Sequence, residues 1–207
     1  MRFVQFYEEC KTRGLRSTVH DMIYLNRDAI ILEKELSFPL TKSRSIPELS
    51  LSLIEISLQN FNKYKLTYSM KNRYLKTLHY FDKGYKAFAI IRNNEVIGDL
   101  WYTTSSNSKQ SFIHPDLKWL NIDLGEKDVY TFDIYIKQEE RGNRISITFW
   151  TFVCNALQRK GFEKVCGYVW ADNIPALWLY RMLRWKELKR VKMWRFLFLR
   201  RRLGIKH

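Results

Sequence analysis

The stretch from residue 129 to residue 199 constrains the fold more than any other part of the chain, because strand-like and helix-like runs alternate there in a set order. Residues 129–136, Val-Tyr-Thr-Phe-Asp-Ile-Tyr-Ile, are rich in β-branched and aromatic side chains and read as a strand. Ile147, Trp150, Val153, Cys154 and Leu157 then recur at helical spacing and predict a helix over 145–159. A strand over 164–169, a helix over 175–183 and two closing strands over 186–191 and 193–199 follow. Gly161 stands where a helix C-terminal glycine belongs, and Pro175 stands near a helix start, where proline is tolerated. A strand that returns through a helix to another strand implies a parallel pair, so the fold class is mixed α/β, a sheet flanked by helices.

Ahead of this region the order is also regular. Residues 19–25 and 29–36 are apolar runs around Asn26-Arg27-Asp28 and read as an N-terminal β-hairpin. A breaker-rich link from Phe38-Pro39 to Ile46-Pro47 follows. The expected organisation is therefore an extension over 1–45, too short to be stable alone, packed on a main domain over 46–207 that ends in a solvated basic tail. Within the main domain, 53–56 reads as a strand. Ser57 or Asn60 can cap a helix running through the 63–68 region. Residues 71–81 suit a second helix with Tyr74, Leu75, Leu78 and Phe81 on one face. Residues 86–92 and 95–103 flank Asn93-Asn94, a strong hairpin signal. Residues 104–128 form an insertion without clear period, in which Trp119, Leu120, Ile122 and Leu124 should reach the core.

Composition narrows the function classes. With 207 residues and 46% hydrophobic side chains, the chain can bury one sizeable core. It has no apolar run long enough to cross a bilayer, and acidic residues come too early for a secretory signal, so the expected location is cytoplasmic. Cys10, Cys154 and Cys166 share no metal-like spacing and fall in or beside apolar runs, and the histidines are scattered, so no metal site is expected. The formal net charge of +15 implies affinity for something anionic: a nucleotide-bearing molecule, nucleic acid or an acidic surface.

The turn between the strand and helix of the opening argument, Arg141-Gly142-Asn143-Arg144-Ile145-Ser146, is the best candidate for that anion. Free N–H groups and the helix dipole at such a turn both favour negative charge, and Arg141 and Arg144 add two cations. The turn also matches, in part, the pattern Gln/Arg-x-x-Gly-x-Gly/Ala. A second segment, Asn173-Ile-Pro-Ala176-Leu-Trp-Leu-Tyr180-Arg-Met-Leu183-Arg-Trp185, matches Asn-x-x-Ala-x-x-x-Tyr-x-x-x-Gly-Phe at Asn173, Ala176 and Tyr180. On these two motifs the chain resembles the GNAT superfamily of acyl-CoA-dependent N-acyltransferases, over roughly residues 51–199. Arg144 and Arg184 stand where that family usually has glycine, and Ser146 replaces its last small residue. If residue 144 is already helical it needs no positive φ, and its guanidinium then either reaches the phosphates or blocks them.

The resemblance implies that acetyl-CoA or another acyl-CoA donates its acyl group to an amine by direct attack in a ternary complex. It implies Tyr180 as the general acid for the departing thiolate and main-chain groups of Ile134, Tyr135 and Ile136 as partners of the pantetheine arm. Arg141, Gly142, Asn143, Arg144, Ile145 and Ser146 are then the diphosphate turn, with Asn173 near the pantetheine or acting as a helix cap. Asp133 is the first candidate for the base, with Asp99, Glu126 and Asp128 as alternatives; simple alternation puts Thr131 and Tyr135 on its face. The expected acceptor is a small-molecule amine, and the net charge favours an acidic or phosphorylated one, such as a nucleotide-linked amino sugar. A rival reading keeps the fold and loses catalysis, the positive charge binding an anionic partner such as nucleic acid or a membrane surface; both are disfavoured. Trp194, Phe196 and Phe198 alternate as a strand with one buried face does, rather than as a stacking platform.

Overall fold

The computed structural model describes residues 24–36, 51–106, 113–141, 144–196 and 199–206. Their order is β1 (Tyr24–Glu35), β2 (Ser52–Ile56), α1 (Leu58–Lys63), α2 (Lys71–Asp82), β3 (Lys86–Arg92) and β4 (Glu95–Thr104). Then come α3 (Pro115–Leu120), β5 (Asp128–Ile136), α4 (Ile145–Arg159), β6 (Lys164–Trp170), α5 (Ile174–Met182), β7 (Lys186–Phe196) and β8 (Leu199–Lys206). All strands join one eight-stranded sheet in the order β2-β3-β4-β5-β6-β1-β7-β8. Every neighbouring pair is antiparallel except β5 and β6. This is the mixed α/β sheet the alternation requires.

Local chemistry explains most boundaries. Ser57 caps α1 through a reciprocal box with Asn60, and α1 stops at Lys63 because Lys65 turns left-handed at φ 50, short of the 63–68 region expected to be helical. Asn93 and Asn94 both hold positive φ, 49 and 64, as a two-residue hairpin turn demands. Gly161 ends α4 at φ 84. The 104–128 insertion contributes α3, whose Leu117 and Leu120 are buried; residues 107–112 lie outside the described residues.

Three expectations are corrected. Tyr24–Glu35 is one 12-residue strand that runs straight through Asn26-Arg27-Asp28, so there is no turn there. It pairs with β6 on one side and β7 on the other. The polar triplet survives in a strand because it lies at the sheet's rim. The Asp28 carbonyl accepts the amide of Ala171, and Arg27 pairs with Asp172 and covers the Trp170 ring at 4.7 Å. The first arm of the expected hairpin, 19–23, and the 38–47 link lie outside the described residues. Second, the two closing strands are one, Lys186–Phe196. Third, the basic tail is strand β8, paired with β7 from Arg190↔Lys206 to Phe196↔Leu199. As an edge strand it tolerates charges that an interior strand would not.

Helices α4 and α5 cover one face of the sheet, over Ile30, Phe88, Leu100, Val129 and their neighbours. Helices α1 and α2 cover the other face over Ala87, Ala89 and Trp101, and α3 packs beside them on Ala29, Ile31 and Val191.

Candidate active site

Strands β5 and β6 pair only from Asp128↔Lys164 to Tyr130↔Cys166 and then part. Thr131 and Gly167 mark the fork: Thr131 Oγ1 donates to the Cys166 carbonyl at 3.1 Å. A Cβ on Gly167 would meet the Thr131 carbonyl oxygen at 2.9 Å, so the close approach needs glycine. Past the fork, β5 keeps its ladder to β4, while the residues after Tyr130 have no β6 partner. The open edge faces a cleft lined by Leu100, Phe132, Ile134, Trp150, Tyr168 and Tyr180, with an enclosed volume of about 40 Å³, room for a few water molecules.

The strand also carries a bulge at the fork. Trp101 opposes Asp133 while Tyr102 opposes Thr131, which leaves Phe132 as an extra residue. The bulge resets the alternation. Phe132 packs with Tyr80 and Tyr85 on the α2 side, and Asp133 faces the same way, bonded to α2 side chains. Simple alternation had placed Thr131 beside Asp133. The ladder instead pairs Thr131 with Tyr102, which stacks on Phe88 in the core under α4.

Tyr180 reaches the cleft from α5. Its ring meets Trp150 and Trp185 edge-on at 5.7 and 5.0 Å, and its hydroxyl has no hydrogen-bond partner among the described residues. Burial pushes the phenol pKa up, so it stays protonated through the physiological range. The raised pKa keeps the hydroxyl a hydrogen-bond donor at the cleft that it lines.

At the far end of the open edge lies the N-terminus of α4. It has no side-chain cap and no acidic residue in its first turn, and among the described residues its first bonded amide is Thr148 N, donating to the Arg144 carbonyl. The amides of Ile145, Ser146 and Ile147 are therefore available to an anion. The Ile145 side chain is core, only 2% exposed, so any ligand contact it makes is through its backbone. Arg141 is exposed and donates from Nε to the Ile136 carbonyl at 3.0 Å, and its terminal nitrogens have no acceptor among the described residues. Gly142 and Asn143 lie outside the described residues. Arg144 is not helical: it caps α4 in the left-handed region at φ 57, ψ 4. Arg184 does the same after α5, at φ 58. Both arginines thus hold a backbone conformation that glycine adopts without strain.

Asn173 is the N-cap of α5, its Oδ1 accepting the Ala176 amide at 3.3 Å. Ile134 is 38% exposed at the cleft, and Ile136 is buried. Of the carboxylates, Asp128 accepts the Gly125 amide and pairs with Lys164, and Glu126 is exposed. Asp99 and Asp133 belong to a buried ionic cluster that the sequence did not foretell. Arg73 donates to both oxygens of Asp99 and, at 2.9 Å, to Asp133 Oδ2. Lys76 at 2.8 Å and the Tyr80 hydroxyl at 3.0 Å reach the same Oδ2, and Tyr68 donates to Asp99 at 2.5 Å. Burial alone would raise the Asp133 pKa, but the charges of Arg73 and Lys76 outweigh it and hold the carboxyl below its ordinary range. Asp133 Oδ1 takes no donor among the described residues. The cluster requires the inward face of α2 to be Arg73, Thr77 and Tyr80, with Tyr74 39% exposed, a rotation away from the apolar face expected from spacing. The signal was there: an acid in Gly98-Asp99-Leu100-Trp101 and another in Phe132-Asp133-Ile134 demand buried cations.

Among the described residues, no group of three His, Cys, Asp or Glu side chains is placed to hold a metal ion, and no helix is long and apolar enough to cross a membrane.

No protein-family model matches the chain, and no curated protein matches it by sequence. Solved structures do match in shape. A tandem GNAT protein from the clavulanic acid biosynthesis pathway aligns at TM-score 0.57 and 12% identity, covering 87% of this chain and 57% of its own. A GCN5-related N-acetyltransferase from Sphaerobacter thermophilus aligns at TM-score 0.52 and 15% identity, covering 95% of this chain and 58% of its own. The protein has the GNAT fold. The glucosamine N-acetyltransferase region of a fungal multi-domain beta-N-acetylglucosaminidase is similar as well, at TM-score 0.57 and 18% identity over 90% of this chain and 23% of that one. The chain thus spans less than three fifths of the length of each of these GNAT-fold structures.

Proposed function

We propose that the protein is an N-acyltransferase that moves an acyl group, acetyl in the simplest case, from an acyl-coenzyme A thioester to an amine. The observation that carries this reading is the fork. One open strand edge runs from a protonated, unpartnered Tyr180 hydroxyl to an uncapped helix N-terminus flanked by two arginines.

The thioester supplies an activated acyl carbon; the chain's residues bind and orient it. On the β6 side, where β5 has no strand partner, backbone groups of the Ile134, Tyr135 and Ile136 segment pair with the amides of the pantetheine arm as an added strand would, apart from the Ile136 carbonyl, which already accepts Arg141 Nε. The first-turn amides of α4, with Arg141 and Arg144 and the Gly142-Asn143 turn, hold the diphosphate. Asn173 spends Oδ1 on its cap and keeps its amide N–H groups for the arm. Tyr180 gives its proton to the departing sulfur. Asp133, held ionised from the α2 side, suits a hydrogen bond from the acceptor amine through Oδ1 better than it suits a base poised near neutral pH, so solvent carries the amine's proton away. The cleft is narrow and open to solvent on one side, so the acyl end enters it while the rest of the thioester lies along the open edge of β5.

Acetyl-CoA should raise the melting temperature, by about 3 kcal/mol of stabilisation at a hundredfold excess over Kd. Tyr180→Phe should lower turnover by about 10²-fold or more and leave the affinity for acetyl-CoA unchanged. No thermal shift with acetyl-, propionyl- or longer acyl-CoA would overturn the reading, and unaltered turnover would remove Tyr180 from it.

A further inference from the structure

A second concavity lies apart from the thioester cleft, between α4 and the C-terminal end of α5. Its volume is about 340 Å³, at the low end of what holds a small molecule. The two sites share only the Trp150 ring. The cleft takes β5, Tyr168 and Tyr180, whereas this groove takes the outer side of α4 from Ile147 to Cys154 and the 182–185 turn, with Lys34 from β1 closing one end.

The charge of this groove is one-sided. Among the described residues, nine line it, and they include two cations, Lys34 and Arg184, and no carboxylate. Nearby acids are engaged elsewhere: Glu187 by Arg181, and Glu33 by Lys186. Lys34 donates one of its three protons to the Leu183 carbonyl at 2.8 Å, which fixes the ammonium at the groove and leaves two protons for another acceptor. Arg184 is exposed and has no ion-pair partner among the described residues. The walls between these cations are apolar, built from Trp150, Met182, Leu183 and Trp185, with the Cys154 thiol among them. Neither indole N–H, of Trp150 or of Trp185, has an acceptor among the described residues. Met182, at the mouth, is 52% exposed. Cations and an apolar wall in one groove call for a ligand with an anionic, accepting head and an apolar body; the indole nitrogens are buried and play no part in it.

We propose that this groove is a binding site for a small amphipathic carboxylate, with Lys34 and Arg184 holding the head group and the Trp150, Met182 and Trp185 walls taking the body.

The backbone at Arg184 makes the test clean. At φ 58 a glycine is at least as well accommodated as arginine, so Arg184→Gly deletes the cation without damaging the fold. The whole protein is titrated calorimetrically with decanoate, decanol and decylamine below their micellar concentrations, without any acyl-CoA. Decanoate should bind about three- to tenfold more tightly than decanol, and decylamine most weakly. Arg184→Gly should reduce decanoate to the affinity of decanol and leave the melting temperature unchanged or higher. Thr151→Trp, which fills the groove from a residue whose hydroxyl bonds only within its own helix, should abolish binding of all three. Decanoate should also slow maleimide labelling of Cys154, read by mass spectrometry. Equal affinity for the three amphiphiles, indifference to either substitution, or unprotected Cys154 would overturn the proposal. So would displacement of decanoate by saturating coenzyme A, which would make the groove part of the thioester site. Because the titration needs no acyl-CoA, its failure leaves the transferase reading standing, and the reverse also holds.

Discussion

Arg144→Gly separates two contributions that the wild-type side chain combines. Residue 144 sits at φ 57, ψ 4, where an L-residue pays roughly 1–2 kcal/mol for the contact between Cβ and its own carbonyl. Glycine removes that cost but loses about 0.5–1 kcal/mol through the greater freedom of its unfolded chain. The net gain is about 0.5–1 kcal/mol, a rise of roughly 1–3 °C in melting temperature for a chain of this size. The guanidinium works the other way. If it lies beside the diphosphate, its loss should weaken coenzyme A binding about two- to fivefold at 0.1 M salt, with a larger factor at lower salt. Differential scanning fluorimetry gives the first number and isothermal titration at two ionic strengths gives the second. Arg184→Gly is the internal control: it should reproduce the stability gain without altering coenzyme A affinity. A fall in melting temperature would refute the left-handed assignment at residue 144. Tighter binding of coenzyme A would show that the arginine obstructs the phosphates.

Other parts of the molecule give sharper stability tests. Arg73→Met strips the shared cation from Asp99, which is fully buried, and from Asp133, and should cost about 3–5 kcal/mol in urea denaturation; adding Asp99→Asn to it should recover part of the loss. Gly167→Ala drives a methyl group to 2.9 Å from the Thr131 carbonyl at the fork and should cost about 1–3 kcal/mol, with acyl-CoA affinity falling as the fork distorts. His114 is buried against Phe132, their ring centres 4.1 Å apart, and burial pushes its pKa down to about 4 from an ordinary 6.5. Its neutral form is the folded one, so the unfolded chain binds the extra proton. Stability should be whole above pH 6.5 and fall by up to about 3 kcal/mol between pH 6.5 and 4. His114→Phe should flatten that part of the profile, and an unchanged slope would dismiss the assignment.

How much of this was legible depended on whether the determining contacts were local. Helix α4 follows from its own apolar spacing and the Gly161 stop, and the β3–β4 turn from two asparagines that tolerate positive φ. Strand β1 does not follow, because what keeps Asn26-Arg27-Asp28 extended is distant in sequence: the ladder to Trp194, Met193 and Lys192 of β7, with the β6 ladder beginning just after it at Ala29. A polar triplet between apolar runs is a turn signal until those partners exist. Strand β8 was hidden for a related reason: Arg200, Arg201 and Arg202 look like a solvated tail, yet their backbone pairs with β7, and an outermost strand needs only one ladder.

The site divides along the same line. The places of Tyr180 on α5, of Asn173 at its N-cap and of Ile145 at the start of α4 were readable because they are set by intervals within single elements. The arginines at 144 and 184 looked like changes of chemistry; in the fold both sit on left-handed backbone of the kind that glycine favours. Asp133 was readable as a buried acid but not as the member of a cluster, because its environment depends on a one-residue bulge. Without the extra Phe132, alternation would place Asp133 with Thr131 under α4, away from Arg73, Lys76 and Tyr80. The bulge turns the carboxylate toward α2 at the point where β5 leaves β6. One inserted residue therefore decides which side of the sheet supplies the charge at the fork. It also explains why strand parity alone, which pointed to Asp133 as a base, misses the cations that hold its carboxyl ionised.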